Sequence, residues 1–251
     1  MKIKTTLTVT LTALAGFTGA MNGQVIFEEN FDDITGDLSS DGAWDGFSGT
    51  GSPTVTAGVL SVGAGAMDIG TDLGTLSAGT YFFSLDFTVS SAATSSDYVM
   101  GFQDGSSLAS RIYFDGVTGG FAIGANTGGT GGGSASDFIG GSVTPSVFAL
   151  DTTYQLISSF DGVSTISIWI DAGTGDLATP DLTIVNADTG IVDGFYFRQG
   201  GGWDNGGAAW TADDIIVSSD FASAVPEPSA YALLAGCFAL SSVMMRRRTV
   251  K

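Results

Sequence analysis

Residues 81–89 read Tyr-Phe-Phe-Ser-Leu-Asp-Phe-Thr-Val, and this stretch decides the fold class. Large apolar side chains occupy every second position of it: Tyr81, Phe83, Leu85, Phe87 and Val89. A strand projects alternate side chains to opposite faces, whereas a helix would spread these residues around its circumference. The spacing therefore predicts a β-strand that buries one face.

A β-hairpin is predicted further along the chain. In residues 165–171, Ile166, Ile168 and Ile170 share one face, and Trp169 lies on the other. The preceding run has its own common face, made of Tyr154, Leu156, Ser158 and Phe160. Asp161-Gly162 stands between the two runs, and an Asp-Gly pair is typical of a tight hairpin turn.

Similar short runs recur along the chain, separated by Gly, Asp, Ser and Asn, and helical periodicity is not evident. The further predicted strands are Val25–Glu28, Val59–Val62, Tyr98–Phe102, Arg111–Phe114, Gly120–Gly124, Leu182–Val185, Gly194–Arg198 and Asp214–Ser218. Many short strands with polar outer faces predict an all-β fold, a two-sheet antiparallel sandwich.

The N-terminus has the pattern of a secretory signal peptide. Lys2 and Lys4 precede a short apolar run, and the small residues Thr18, Gly19 and Ala20 follow it. We expect residues 1–23 to be the signal peptide, residues 24–224 to be one ectodomain, and residues 225–251 to be a tail.

The tail combines three features in a fixed order. Pro226-Glu227-Pro228 comes first, then the uncharged residues 229–245, and then the basic run Arg246, Arg247 and Arg248. As a helix, residues 229–245 would span roughly 25 Å, which is near the lower limit for crossing a bilayer. We therefore expect one C-terminal transmembrane helix, with the arginines on the cytoplasmic side.

This order of motifs resembles the PEP-CTERM sorting signal. The resemblance covers about 25 residues and implies that a membrane enzyme, exosortase, recognises the tail and removes it. It implies further that the bacterium makes extracellular polysaccharide. The expected location is the cell envelope, cell surface or extracellular matrix, with membrane anchoring before the tail is processed.

The ectodomain resembles, loosely, the concanavalin A-like (laminin-G-like) jelly roll. An opening Phe-Glu-Glu-Asn-Phe-Asp at residues 27–32 and a closing Ala-Asp-Asp-Ile-Ile-Val at residues 212–217 carry the resemblance. It implies a jelly-roll sandwich; a fibronectin-like or other β-sandwich is the competing interpretation.

The charge of the middle of the chain excludes nucleic acid as a partner. Between Gln24 and Pro228 there are 26 acidic residues and only two basic ones, Arg111 and Arg198, which gives a formal charge of −24. Such a body repels phosphate backbones and anionic lipid. A hydrated acidic exterior and cation capture are both compatible with it.

Several catalytic classes lack the residues that they need. The chain has no His, and its single Cys, Cys237, lies in the tail, so zinc sites with His or Cys ligands and Ser-His-Asp catalysis are absent. The glutamates Glu28, Glu29 and Glu227 form no paired motif for glycoside cleavage. The Gly-rich run at 128–134 has no following Lys and does not predict a phosphate loop.

Calcium is the metal that the residues favour, because it binds hard oxygen ligands. If the first and last strands are neighbours, acidic and amide side chains from both would meet there: Glu28, Asn30, Asp32, Asp213 and Asp214. We expect a possible structural Ca²⁺ site; strand ends that are merely hydrated are the alternative.

Loop aromatics suggest a glycan site. Trp203 and Trp210 flank Asp204 and Asn205, and sugars stack on such rings while amides and carboxylates bind their hydroxyls. The same tryptophans could instead cap the core. The leading hypothesis is a non-catalytic surface or matrix protein that contacts extracellular polysaccharide. A purely structural matrix component and an atypical glycan-processing enzyme with paired aspartates remain as alternatives.

Overall fold

The computed structural model describes residues 24–63, 67–91, 97–105, 107–127, 134–173, 176–185, 191–198 and 209–225. The predicted signal peptide and the sorting tail from Pro226 onward lie outside this range, as does the predicted transmembrane segment. Within the described residues, no helix is both long enough and apolar enough to cross a membrane.

Strands dominate the described residues, with one short helix, α1, at Phe221–Ala224. The strands are β1 (Val25–Glu29), β2 (Gly36–Asp37), β3 (Asp45–Ser48), β4 (Thr54–Thr56), β5 (Val59–Val62), β6 (Asp68–Asp72), β7 (Tyr81–Ser91), β8 (Asp97–Asp104), β9 (Ser107–Leu108), β10 (Ser110–Val117), β11 (Gly120–Thr127), β12 (Asp137–Phe138), β13 (Thr153–Phe160), β14 (Thr165–Ile170), β15 (Leu182–Val185), β16 (Gly194–Phe197) and β17 (Ala209–Ser218).

The strands form two antiparallel sheets. The first sheet has the order β15-β14-β13-β7-β17-β5-β4-β2, and β1 also pairs with β17. The second sheet has the order β12-β11-β10-β8-β16-β6-β3, and β9 also pairs with β8. The prediction of an all-β protein with two antiparallel sheets is confirmed.

The core lies between the two sheets, and the apolar side chains at every second position of β7 form part of it. The sequence places five apolar residues of β7 on one face, and each of them is at most 7% exposed: Tyr81, Phe83, Leu85, Phe87 and Val89. Phe83 meets Phe102 and Phe195 of the opposite sheet, with ring centroids 5.2 and 5.0 Å apart. This aromatic contact joins the sheets and buries the apolar area that stabilises the fold.

The predicted hairpin is also present. Strands β13 and β14 pair from Leu156–Ile170 to Phe160–Ile166. The Asp161 carboxylate Oδ1 accepts hydrogen bonds from the backbone N–H groups of Val163, Ser164 and Thr165, at 2.9, 2.7 and 2.9 Å. The side chain therefore organises the turn, while Gly162 adopts a φ of +73° that favours glycine.

The first sheet carries a small apolar cluster on its outer face. Its buried members are Phe82, Ile157, Trp169, Phe221, Ala224 and Val225. Helix α1 supplies Phe221, whose ring centroid lies 4.9 Å from that of Trp169. The helix thus covers part of this face at the point where the described chain ends.

Several strands have no counterpart among the predicted ones: β2, β3, β4, β6, β9 and β12. They are two to five residues long and rich in Gly, Asp, Ser and Thr, so they show no apolar alternation. Pairing with longer neighbours forms them, and that pairing is not visible in a local pattern.

Candidate functional site

The outer face of the second sheet carries a group of three tyrosines and two arginines. Tyr98 of β8 belongs to it because a β-bulge pairs Tyr98 with Tyr113 of β10. Alternation explains the other four: Ile112 and Phe114 of β10, and Phe195 and Phe197 of β16, belong to the core between the sheets. Their neighbours along each strand therefore project outward. We call the outward residues the tyrosine–arginine cluster: Tyr98, Arg111, Tyr113, Tyr196 and Arg198.

Tyr98 lies at the centre of this cluster. The Arg198 guanidinium lies over the Tyr98 ring at 3.7 Å from its centroid, and that of Arg111 lies at 5.0 Å. The ring centroids of Tyr113 and Tyr196 are 5.7 and 6.5 Å from that of Tyr98, both at steep angles. Cation–π and edge-to-face contacts thus hold five side chains from three neighbouring strands together.

Arg198 is also paired with carboxylates. Its Nε lies 3.4 Å from Asp68 Oδ2, and its Nη1 lies 3.4 Å from Asp97 Oδ1. Ser48 Oγ donates a hydrogen bond to Asp68 Oδ2 at 2.7 Å. The positive charge of Arg198 is therefore balanced inside the protein.

Burial controls the ionisation of two tyrosines. Burial raises the pKa of Tyr113, and the nearby charge of Arg111 only partly opposes the rise. Burial likewise raises the pKa of Tyr196 well above its usual value. Both phenols are therefore neutral at physiological pH. The Tyr196 hydroxyl donates to the Ser110 carbonyl at 3.0 Å.

An open groove of about 320 Å³ adjoins the cluster, at the ends of β3, β6, β8 and β16. The residues that line it are Asp45, Phe47, Gly70, Thr71, Asp72, Gln103, Gly105, Asp193 and Gly194. A Cβ at Gly70 or Gly194 would come within 2.5 or 2.8 Å of Gln103 Oε1. The two glycines therefore leave room for the Gln103 amide on the floor of the groove.

Phe47 and fixed carboxylates form the walls of this groove. Phe47 is 43% exposed, and its ring meets that of Tyr196 edge-on at 6.4 Å, which connects the groove to the tyrosine–arginine cluster. The Gly105 N–H lies 2.9 and 2.8 Å from the two carboxylate oxygens of Asp193. Asp72 Oδ1 accepts from the Gly74 N–H at 2.7 Å. The groove thus presents one exposed ring and oriented acceptors.

The predicted calcium ligands lie on the first sheet, away from this groove. Strands β1 and β17 pair, with Glu28 opposite Ile216, so the first and last strands are neighbours, which is the condition on which the predicted site depends. Asp213 is close enough to three other carboxylates to be affected by their charges: Asp214 beside it in β17, Asp32 after β1, and Asp86 in β7. Burial and these charges raise the pKa of Asp213.

The geometry at that strand end is built by local hydrogen bonds. Asp32 N donates to Asn30 Oδ1 at 3.2 Å, and Asn30 Nδ2 donates to Asp32 Oδ2 at 3.3 Å. Asp214, which has a φ of +50°, lies in a β-bulge of β17. In the described residues, no group of three or more Asp, Glu, Cys or His side chains is arranged to hold a metal ion. The calcium site stays a prediction.

Of the four residues predicted to bind a glycan, Trp203, Asp204 and Asn205 lie outside the described residues. Trp210 is 1% exposed and meets Phe114 and Phe197 edge-on at 5.8 and 5.5 Å. It therefore lies in the core between the sheets.

Two other tryptophans are also buried, Trp44 in the core between the sheets and Trp169 in the apolar cluster on the outer face of the first sheet. Trp44 is 0% exposed and stacks on Phe197 at 5.6 Å. Trp169 donates its indole N–H to the Asp176 carbonyl at 3.0 Å under helix α1. For the described tryptophans, the core interpretation fits better than ligand stacking.

Sequence reasoning did not identify the tyrosine–arginine cluster or the groove. One signal was present: Arg111 and Arg198 are the only basic residues between Gln24 and Pro228. Each is two residues from a tyrosine, Tyr113 or Tyr196, and a separation of two places both on one strand face. Two rare cations beside aromatic residues could have pointed to a shared surface.

Comparison with known structures finds the same fold in proteins that act on or bind carbohydrate. Alginate lyase Aly36B aligns with a TM-score of 0.54 and 15% identity, over 76% of this chain and 95% of the lyase. The CBM2 module of the evolved Dit of Lactobacillus casei BL23 phage J-1 aligns with a TM-score of 0.52 and 9% identity, over 79% of this chain and 98% of the module.

A third structure comes from endo-acting O-glycanases that human gut microbiota express to initiate mucin breakdown. It aligns with a TM-score of 0.53 and 10% identity, over 78% of this chain and 99% of its own. At such identities the similarity establishes a shared β-sandwich fold. Scans against protein-family models and against curated proteins gave no match.

Proposed function

We propose that this chain is an exported protein of the cell surface or extracellular matrix that contacts polysaccharide without cleaving it. The contact surface is the groove on the second sheet. The tyrosine–arginine cluster beside it has Tyr113, Tyr196 and Arg111 buried, and it supports the Phe47 ring through Tyr196. Phe47 carries the proposal, because a large exposed aromatic ring beside oriented carboxylates and an amide is what sugar recognition needs.

The shared fold supports this assignment. The neighbours named above comprise an alginate lyase, a CBM2 module and O-glycanases, so carbohydrate recurs among proteins with this arrangement of sheets. The predicted loop with Trp203, Asp204 and Asn205 follows Arg198 of the cluster within seven residues. We propose that these three residues also contact the polysaccharide.

The export route rests on the two ends of the chain. The signal peptide at residues 1–23 takes the protein out of the cytoplasm, and the tail at residues 225–251 anchors it until exosortase acts. Extracellular polysaccharide is the partner expected at that location. Structural Ca²⁺ at the β1–β17 strand end would tie the two ends of the sandwich together.

A sedimentation assay tests polysaccharide contact directly. The full chain, purified in mild detergent, is incubated with insoluble polysaccharide and centrifuged. Phe47→Ala should remove most of the sedimented protein, since a lost stacking ring costs about 1 kcal/mol or more. Val143→Ala is the matched control, because Val143 is 90% exposed in the β12–β13 connection and lies away from the groove.

Sedimentation that is equal for wild type and Phe47→Ala would place binding elsewhere on the molecule. Failure of every polysaccharide tested to sediment the wild-type protein would favour the purely structural matrix role. Trp203→Ala separately tests the contribution of the loop.

The enzymatic alternative has one specific observation behind it. Asp86 lies directly opposite Asp213 in the β7–β17 ladder, and burial raises the pKa of both carboxyl groups. In a pair of carboxyl groups, the one with a raised pKa can stay protonated and act as a general acid. Release of reducing sugar by the wild type, lost in Asp213→Asn, would establish catalysis at this pair and remove the non-catalytic proposal.

A further inference from the structure

We infer that the polysaccharide bound in the groove is an uncharged one, not a polyuronate or a sulfated chain; this rests on the function proposed above. The charge of the lining carries the inference. Three carboxylates face the groove, from Asp45, Asp72 and Asp193, and its described lining contains no Lys or Arg. An acidic sugar would bring a like charge within a Debye length of all three.

The two arginines nearby do not reverse this balance. Arg198 is held between Asp68 and Asp97, at 3.4 Å from each. The Arg111 guanidinium lies over the Tyr98 ring and is 93% buried as a residue. Both cations therefore serve to hold the cluster together, and neither lines the groove.

The same groups suit a neutral sugar well. Carboxylates accept hydrogen bonds from sugar hydroxyls, and such charge-assisted bonds are stronger than neutral ones. Gln103 adds both a donor and an acceptor at the floor of the groove. The Phe47 ring offers an apolar face to the C–H face of a pyranose. Every described group of the lining thus complements a hydroxyl-rich ligand.

The field of the whole molecule acts in the same direction. The stretch between Gln24 and Pro228 has a formal charge of −24, so an anionic polymer is repelled before it reaches the groove. A neutral polymer meets no such barrier. Binding should therefore depend little on ionic strength.

Polysaccharide-coated polystyrene beads provide the test. Dextran, a β-1,3-glucan and a galactomannan serve as neutral probes, and polygalacturonate and alginate serve as acidic ones. The full chain in mild detergent should be retained by at least one neutral probe, equally at low and high ionic strength, and not by the acidic probes at low ionic strength. Phe47→Ala should lose that retention, while Val143→Ala keeps it.

Removing groove carboxylates tests whether their charge is what excludes acidic polysaccharides. In the double variant Asp45→Asn, Asp72→Asn, the amides keep the shape and an acceptor oxygen, so retention on polyuronate should rise several-fold. Retention of the wild type on acidic beads alone, abolished in Phe47→Ala, would overturn the inference and leave the proposed function standing. Retention on no bead at all would overturn both, and retention on neutral beads that survives Phe47→Ala would overturn the groove as the site.

Discussion

At the scale of single residues, Asp161 shows how one carboxylate can organise a turn. Burial opposes its ionisation, but hydrogen bonds from the backbone N–H groups of Thr165, Ser164 and Val163 outweigh that effect and lower the pKa of Asp161. A lowered folded-state pKa means that the ionised side chain stabilises the folded protein at neutral pH. The contribution declines as the pH falls through the folded-state value.

Asp161→Ala should therefore reduce the free energy of unfolding at pH 7 by about 1–2 kcal/mol, since three backbone donors lose their acceptor. Urea denaturation measures the loss. Asp37→Ala is the control, because Asp37 is exposed and its side chain makes no capping hydrogen bond. The difference between the two variants should shrink as the pH falls below the ordinary pKa of Asp and through the lowered folded-state pKa of Asp161. An equal loss in both variants would contradict the role given to Asp161.

Asp213 presents the opposite case. Burial, followed by the charges of Asp214, Asp32 and Asp86, raises the pKa of Asp213 in spite of a hydrogen bond from the Asp214 N–H. Folding is then favoured by the protonated form, so the contribution of this carboxyl is lost as the pH rises through the raised folded-state pKa. Like charges directly opposite each other in a ladder are destabilising.

With a chelator present at pH 7, Asp213→Asn should therefore raise the melting temperature. If the predicted site binds Ca²⁺, the ion offsets the repulsion between these carboxylates in the wild type, and the advantage of Asp213→Asn in melting temperature disappears. Added Ca²⁺ should then raise the melting temperature of the wild type and leave that of Asp213→Asn nearly unchanged. Thermal melts of both proteins in chelator and in Ca²⁺ decide this. A wild-type melting temperature that is indifferent to calcium would dismiss the site.

At the scale of elements, helix α1 stabilises the outer face of the first sheet. Asp220 caps it by accepting from the Ser223 N–H at 3.1 Å, and Phe221 packs on Phe82 and Trp169 at 6.0 and 4.9 Å. A helix of four residues has little stability of its own, so this packing holds it in place.

Phe221→Ala should detach α1 and expose the Trp169 side of the sheet. We expect a loss of about 3 kcal/mol in the free energy of unfolding, typical of a buried Phe truncated to Ala. Tryptophan fluorescence in the folded state should shift to longer wavelength as Trp169 becomes hydrated. Val185→Ala, at a residue 69% exposed on an edge strand, is the control. An unshifted spectrum with full stability would show that α1 contributes nothing to this face.

At the scale of the whole molecule, the chain combines a strongly acidic body, in which strands dominate the described residues, with basic ends. Such a body is suited to remain hydrated among polymers outside the cell. The ends carry the proposed export and sorting signals, and the sorting motif is open to a direct test.

Replacing Pro226, Glu227 and Pro228 with alanines should leave unprocessed protein in the membrane, because the resemblance places recognition by exosortase at these residues. Immunoblots of membrane and extracellular fractions measure the ratio of uncut to processed chain. The Val143→Ala variant, substituted at an exposed position of the described ectodomain, should be processed as the wild type is. Normal processing of the alanine variant would count against the sorting interpretation.

Strands that bury one face could be predicted from the sequence, because alternation of apolar and polar residues is a local property. The sequence predicted β7 and the β13–β14 hairpin with its Asp161-Gly162 turn. It could not predict short strands such as β3 and β6, since long-range pairing alone stabilises them.

The position of the proposed binding groove depends on which strands are neighbours in the folded protein. Alternation shows that Tyr196 and Arg198 share a face, but not that β16 lies between β6 and β8. That strand order brings Arg198 to Tyr98, a hundred residues away in sequence, and brings Phe47 to Tyr196. Which strands become neighbours depends on how the whole core packs, so the strand order cannot be predicted from a local residue pattern. For the same reason Trp210, which looked like a loop residue, proved to be part of the core.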